Sequence, residues 1–137
     1  MSKKISHHDA LIYVMVTIAA ADRAMTDSEL LRIGEIIQTL PIFRDYNREK
    51  LIGAAEDCSQ MLQDEDGLEI VLDKVAETLP QKLYETAYAL AVEVAAADLH
   101  VEQEELRFLQ LLRDRLDLDK LTIAAIEAGA RARHRIL

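Results

Sequence analysis

Apolar residues recur along this chain at intervals of three and four, the spacing that lines one side of an α-helix, and alternating strand-like runs are scarce. From Leu11 to Ala21 the run is apolar nearly all round, which predicts a central, buried first helix from about His7 to near Asp22. Leu30, Ile33, Ile36, Ile37 and Leu40 define a second helix that Pro41 closes. Asn47 is expected to start a third, through Leu51, Ala54, Ala55, Cys58 and Met61/Leu62 to the acidic turn Asp64-Glu65-Asp66-Gly67. A shorter fourth helix carries Leu68, Val71, Leu72, Val75 and Leu79. Pro80 suits the first turn of a fifth, running to Asp98. Leu106, Leu109, Leu112 and Leu116 mark the sixth. Asp117 or Asp119 caps a seventh that holds Leu121, Ala124, Ala125 and Ala128.

Two helix starts are spelled out in side-chain chemistry. Ser6-His7-His8-Asp9 and Thr26-Asp27-Ser28-Glu29 have the form of capping boxes, in which hydroxyl and carboxylate satisfy otherwise unpaired backbone N–H groups. With four Gly and two Pro in 137 residues, the prediction is an all-α fold of about seven helices in one domain spanning 1–137.

The chain also repeats itself. At an offset of 76 residues, Ala19-Ala20-Ala21-Asp22 matches Ala95-Ala96-Ala97-Asp98, and Glu29-Leu30 matches Glu105-Leu106, with Val16/Val92 and Leu40/Leu116 identical as well. The expected copies are about 7–40 and 81–116, each a helical hairpin. Ala-Ala-Ala-Asp, a short turn, a cap and then Glu-Leu, occurring twice in a helical chain, resembles the TerB-like family associated with tellurite resistance. The resemblance runs from about Ile5 to Leu116. It implies a non-enzymatic stress-response module. Arg23 and Leu99 stand where the family usually has Gly, and Glu102 replaces the capping Thr26 in the second copy.

Sixteen basic and 25 acidic side chains give a net charge of −9, which disfavours nucleic acid and anionic lipid as partners and favours cations or a basic protein surface. Cys58 stands alone, so no intramolecular disulfide or multi-cysteine zinc site can form, and a buried apolar role is expected. Lys3 and Lys4 before an apolar run imitate a secretion signal. His7, His8 and Asp9 interrupt that pattern, the matching run Ala87 to Ala97 lies far inside the chain, and both runs fall short of a bilayer span. A cytoplasmic protein without membrane insertion is the expectation.

Asp22, Glu29, Asp98 and Glu105 are the candidate metal ligands. In one reading Glu29 is a capping residue and Asp22 accepts backbone N–H bonds in a turn. In the other, the paired turns bring four carboxylates together, and their repulsion is relieved by a divalent cation, Ca²⁺ or Mg²⁺ ahead of Zn²⁺. Placing Gly67 at the glycine position of an EF-hand puts Leu62 where the first oxygen ligand belongs, so Asp64–Gly67 reads as a solvated turn capping the fourth helix. His100 reads as an exposed turn residue, and His7 and His8 as solvent-facing. No nucleophile triad or phosphate loop is present, and no enzyme or other cofactor is expected. Arg131, Arg133, His134 and Arg135 complement a helix C-terminus, or form a self-association surface against a neighbour's acidic residues. An unidentified protein partner or a homo-oligomer is therefore the second class of function, in which the acidic face serves recognition without metal.

Overall fold

The computed structural model describes residues 5–21, 25–97 and 103–137. Among them are seven α-helices: α1 (His7–Ala19), α2 (Asp27–Thr39), α3 (Leu51–Leu62), α4 (Gly67–Thr78), α5 (Tyr84–Ala97), α6 (Gln103–Arg115) and α7 (Lys120–Arg133). Three 3₁₀ turns, Pro41–Phe43, Arg48–Lys50 and Gln81–Leu83, join them, and no strand occurs among the described residues. The all-α class follows directly.

α1 is the axis of the molecule. Every residue from Ala10 to Ala19 is buried, because α2, α3, α4, α5 and α6 all pack on this helix. Its one-sided moment is weak for the same reason that it is central: a helix apolar all round is stable only when enclosed. α5 is the other inner helix, lying against α1, α6 and α7. Its Ala87, Ala91 and Ala95 are buried small residues at four-residue spacing. Buried side chains from all seven helices join one hydrophobic cluster.

Helix boundaries follow local chemistry. Ser6 Oγ accepts the Asp9 N–H at 3.1 Å, and the Thr26–Glu29 box is complete in both directions. Asn47 and Pro80 act one step earlier than expected. Asn47 caps the 3₁₀ turn Arg48–Lys50, and α3 begins only at Leu51; Pro80 likewise precedes the turn Gln81–Leu83 that leads into α5. Asp66 precedes α4 without a side-chain cap bond, so the acidic turn is held by backbone, with the Gly67 N–H on the Asp64 carbonyl at 2.9 Å.

Of the two candidate caps for α7, Asp119 is the cap, accepting from the Leu121 and Thr122 N–H groups. Asp117 instead ends α6. Its φ of 52° is left-handed, its N–H reaches the Asp114 carbonyl, and the Leu118 N–H reaches the Arg113 carbonyl, both at 3.2 Å. This is the Schellman arrangement, with an aspartate at the position that glycine favours.

Two buried faces differ from expectation. Phe108, with Leu109, Leu112 and Leu116, forms the inner side of α6, and Leu106 is exposed. α7 turns Leu121, Ala124, Ala125 and Ala128 to solvent and faces inward with Ile123, Ile126 and Ala130. Apolar residues surround α7 on all sides, so periodicity alone does not choose its face. The choice is made by polar ties to α5, described below.

Gly67 allows a tight passage between α3 and α4. A Cβ there would lie 2.7 Å from Leu62 Cα and closer still to the Met61 carbonyl, contacts with backbone that cannot swing away. Gly67→Ala is expected to lower stability by about 2 kcal/mol or more, as overpacking against rigid neighbours does. Asp117→Gly is expected to raise it by about 0.5–1 kcal/mol, since relief of the left-handed conformation exceeds the added unfolded-state entropy. Urea unfolding of both variants measures these opposite shifts.

Candidate functional site

The carboxylate at the start of α2 is committed locally. Glu29 accepts the Thr26 N–H at 2.8 Å and the Thr26 hydroxyl at 3.0 Å, while its own N–H donates to Thr26 Oγ1 at 3.2 Å. Glu105 holds the corresponding third position of α6, and there the environment differs: only 6% of it is exposed, whereas Glu29 is half-buried. Asp22, Asp98 and His100, with the departures Arg23, Leu99 and Glu102, lie outside the described residues. Among the described residues, no group of three or more His, Cys, Asp and Glu side chains is arranged to hold a metal ion.

His8 corrects an expectation. It is buried, not solvent-facing, with Nε2 donating to the Ile42 carbonyl at 2.8 Å and lying 3.3 Å from Asp45 Oδ1. Its ring stacks on Phe43 with centroids 5.4 Å apart, and Tyr46 lies against it at 5.1 Å. The start of α1 is thus pinned to the segment after α2, a structural use of an imidazole.

Three ionic clusters escaped the sequence reading. Tyr88, fully buried on α5, donates its hydroxyl to Glu127 Oε2 of α7 at 2.6 Å, and Arg113 of α6 approaches the same oxygen at 3.4 Å. Burial and then the Glu127 hydrogen bond push the Tyr88 phenol up to about 12. Glu93 of α5 accepts from Arg133 and pairs with His134, so the basic end of α7 is partly spent inside the molecule. Arg115 of α6 bonds Glu69 at 2.7 Å and also reaches Asp73, both on α4. Each cluster joins residues about 14 to 46 positions apart, which no local motif announces. They fasten α4 to α6, α5 to α7 and α6 to α7.

Cys58 and Tyr13 complete the titratable interior. The Cys58 thiol lies 3.6 Å from Thr17 Oγ1 and 3.7 Å from the Tyr13 carbonyl, and burial pushes its pKa up to about 12 despite the Thr17 contact. Desolvation, followed by Asp57 and Asp9, raises the Tyr13 phenol to about 12 as well. Thiolate is therefore scarce and nucleophilic chemistry is disfavoured. The hollows on the surface are open and lined by mixed polar and aliphatic side chains, such as Ile5, Tyr13, Asp57, Gln60 and Met61.

α1 ends at Ala19 and α5 at Ala97, and the helix that follows each carries a carboxylate in its first turn, Glu29 on α2 and Glu105 on α6. The family model described as tellurite resistance protein TerB matches residues 8–128. The chain belongs to the TerB family. No curated protein and no solved structure matches it. The match covers α1 through most of α7, so the TerB-family region includes Asp22, Glu29, Asp98 and Glu105. No helix of this TerB-family chain, among the described residues, is long and apolar enough to cross a membrane.

At pH 8, a thiol with a pKa of about 12 is ionised in about one molecule in 10,000, so iodoacetamide is expected to leave native Cys58 unmodified while labelling it rapidly in urea. Intact-mass spectrometry reads the difference. For Glu93, burial raises the pKa, but the hydrogen bonds from Arg133 and His134 outweigh it and hold the carboxyl below its ordinary 4.5. A depressed carboxyl stabilises the fold above its unfolded pKa and loses that contribution as pH falls through the folded value. Glu93→Gln is therefore expected to be less stable than the native chain at pH 7, with the gap closing below about pH 4 as Glu93 protonates; thermal melts across pH 3–7 test it.

Proposed function

We propose that this TerB-family chain is a non-catalytic stress-response module of the tellurite-resistance type that holds a divalent cation between its two acidic turns. Asp22 and Asp98 would supply oxygen ligands from the turns, and Glu29 and Glu105 from the helix starts that follow. The observation that carries the reading is the TerB-family match over residues 8–128, which takes in both Asp–Glu pairs, Asp22 with Glu29 and Asp98 with Glu105. Carboxylates brought close together repel, and a divalent cation would relieve that repulsion. The packing of α1 on both α5 and α6 further supports an ion that ties the two hairpins together. Hard oxygen donors without cysteine or a shared histidine suit Ca²⁺ or Mg²⁺ better than Zn²⁺.

Glu29 favours a second reading, since its oxygen Oε1 is already occupied by the capping box. In that reading the acidic face recruits a basic protein partner and no metal is needed. The two readings differ in what a chelator does: metal-dependent stability collapses with EDTA, whereas charge recognition survives it and weakens in salt.

A cation at about 100 times its dissociation constant adds about 2.7 kcal/mol, so millimolar Ca²⁺ or Mg²⁺ is expected to raise the melting temperature by several degrees. Asp22→Ala with Asp98→Ala is expected to abolish the rise. Calorimetric scans with Ca²⁺, Mg²⁺, Zn²⁺ and EDTA make the measurement. Equal melting in all four would refute the cation site and leave the recognition reading.

A further inference from the structure

α2 and α3 both pack on α1, and the furrow between them contains two adjoining hollows of about 330 and 490 Å³ that share Leu30 and Ile52. Its aliphatic lining is open to water, with Leu31 66% and Ile52 59% exposed. Single exposed aliphatics are ordinary, whereas two lining one furrow form a patch that association would cover. Around the patch stand the carboxylates of Asp27, Glu35 and Glu56, opposed by the guanidinium of Arg48. In the repeat alignment Leu31 corresponds to Arg107, so the second copy lacks the same aliphatic surface.

The same chain carries a complementary surface. Arg131 lies exposed in the last turn of α7, and Arg135, Ile136 and Leu137 follow the helix, all exposed. The segment is basic and then aliphatic, against a furrow that is aliphatic and rimmed by acid. Within one molecule α7 packs on α5, while the furrow-forming helices pack on α1.

We infer that the α2–α3 furrow receives the Arg135-Ile136-Leu137 segment of a second copy of this chain. Ile136 and Leu137 cover Leu31 and Ile52, and the arginines meet Asp27, Glu35 and Glu56. The net charge of −9 opposes association at long range. At about 0.1 M salt, however, the Debye length is about 10 Å, so the local opposition of patches outweighs repulsion between distant parts of the two bodies. The contact joins different surfaces of the two copies and is heterologous. A patch this small gives weak association, visible at high protein concentration. The inference goes beyond the cation site and does not depend on it.

Sedimentation equilibrium of the full chain in EDTA tests it. Average mass is expected to rise with protein concentration at about 0.1 M salt and to return to that of the monomer at about 1 M. Leu31→Lys, which spoils the furrow, and Arg135→Glu with Ile136→Lys, which spoils the segment, are each expected to remain monomeric. Both alter exposed positions, and circular dichroism checks that helix content is unchanged. Mixing them restores one good furrow and one good segment, so a 1:1 dimer should reappear. A native chain that stays monomeric at all concentrations overturns the inference, as do variants that still associate or a mixture that does not. Association that vanishes only without an added divalent ion would belong to the cation site.

Discussion

Enclosure of α1 is the constraint on which the other helices depend. A helix whose residues from Ala10 to Ala19 are all buried has no solvent face, so neighbours must supply a complete apolar sheath. α3, α4 and α5 provide most of it, with α2 and α6 closing the remainder. The few polar atoms on this axis are accommodated individually: Thr17 beside the Cys58 sulfur, and His8 on the Ile42 carbonyl. An unpartnered polar group in this position would carry a desolvation penalty of about 1–3 kcal/mol, which explains why polar residues inside the sheath are scarce.

The outer helices are oriented by charge as much as by apolar burial. α7 has one buried residue, Ala130, yet it is joined to α5 through Tyr88–Glu127 and Glu93–Arg133–His134. Arg115 performs the same service between α6 and α4. An acidic chain thereby commits Arg113, Arg115 and Arg133 to ties between its own helices. With 16 basic and 25 acidic side chains, the chain as a whole keeps an excess of carboxylates.

Features written locally were legible in the sequence: the order of the helices, the Thr26–Glu29 box, and the inner faces of α3 and α4 through Leu51, Ala54, Ala55 and Cys58 and then Val71, Leu72 and Val75. Features decided by distant contacts were not. His8 occupies a first helical turn, where solvent is the ordinary environment, and only the return of the chain at Phe43 and Tyr46 buries it. Apolar residues surround α7, so its inner face is not legible from periodicity, and the polar partners of Glu127, Arg133 and His134 lie on α5. Asp117 and Asp119 are chemically equivalent as caps, and the left-handed backbone at Asp117 separates them. Of the four site carboxylates, Glu29 appears in its expected capping role and Glu105 in an unexpectedly buried one, while Asp22 and Asp98 lie outside the described residues.

A sheathed axis imposes an order on biosynthesis. α1 emerges from the ribosome well before α5, which starts at Tyr84 and forms one wall of the sheath. Until then the most apolar stretch of the nascent polypeptide has only α2, α3 and α4 to shelter it, and domains of this kind complete their packing only when the last wall arrives. Translation therefore leaves Leu11 to Ile18 partly uncovered for the time needed to make the middle of the protein.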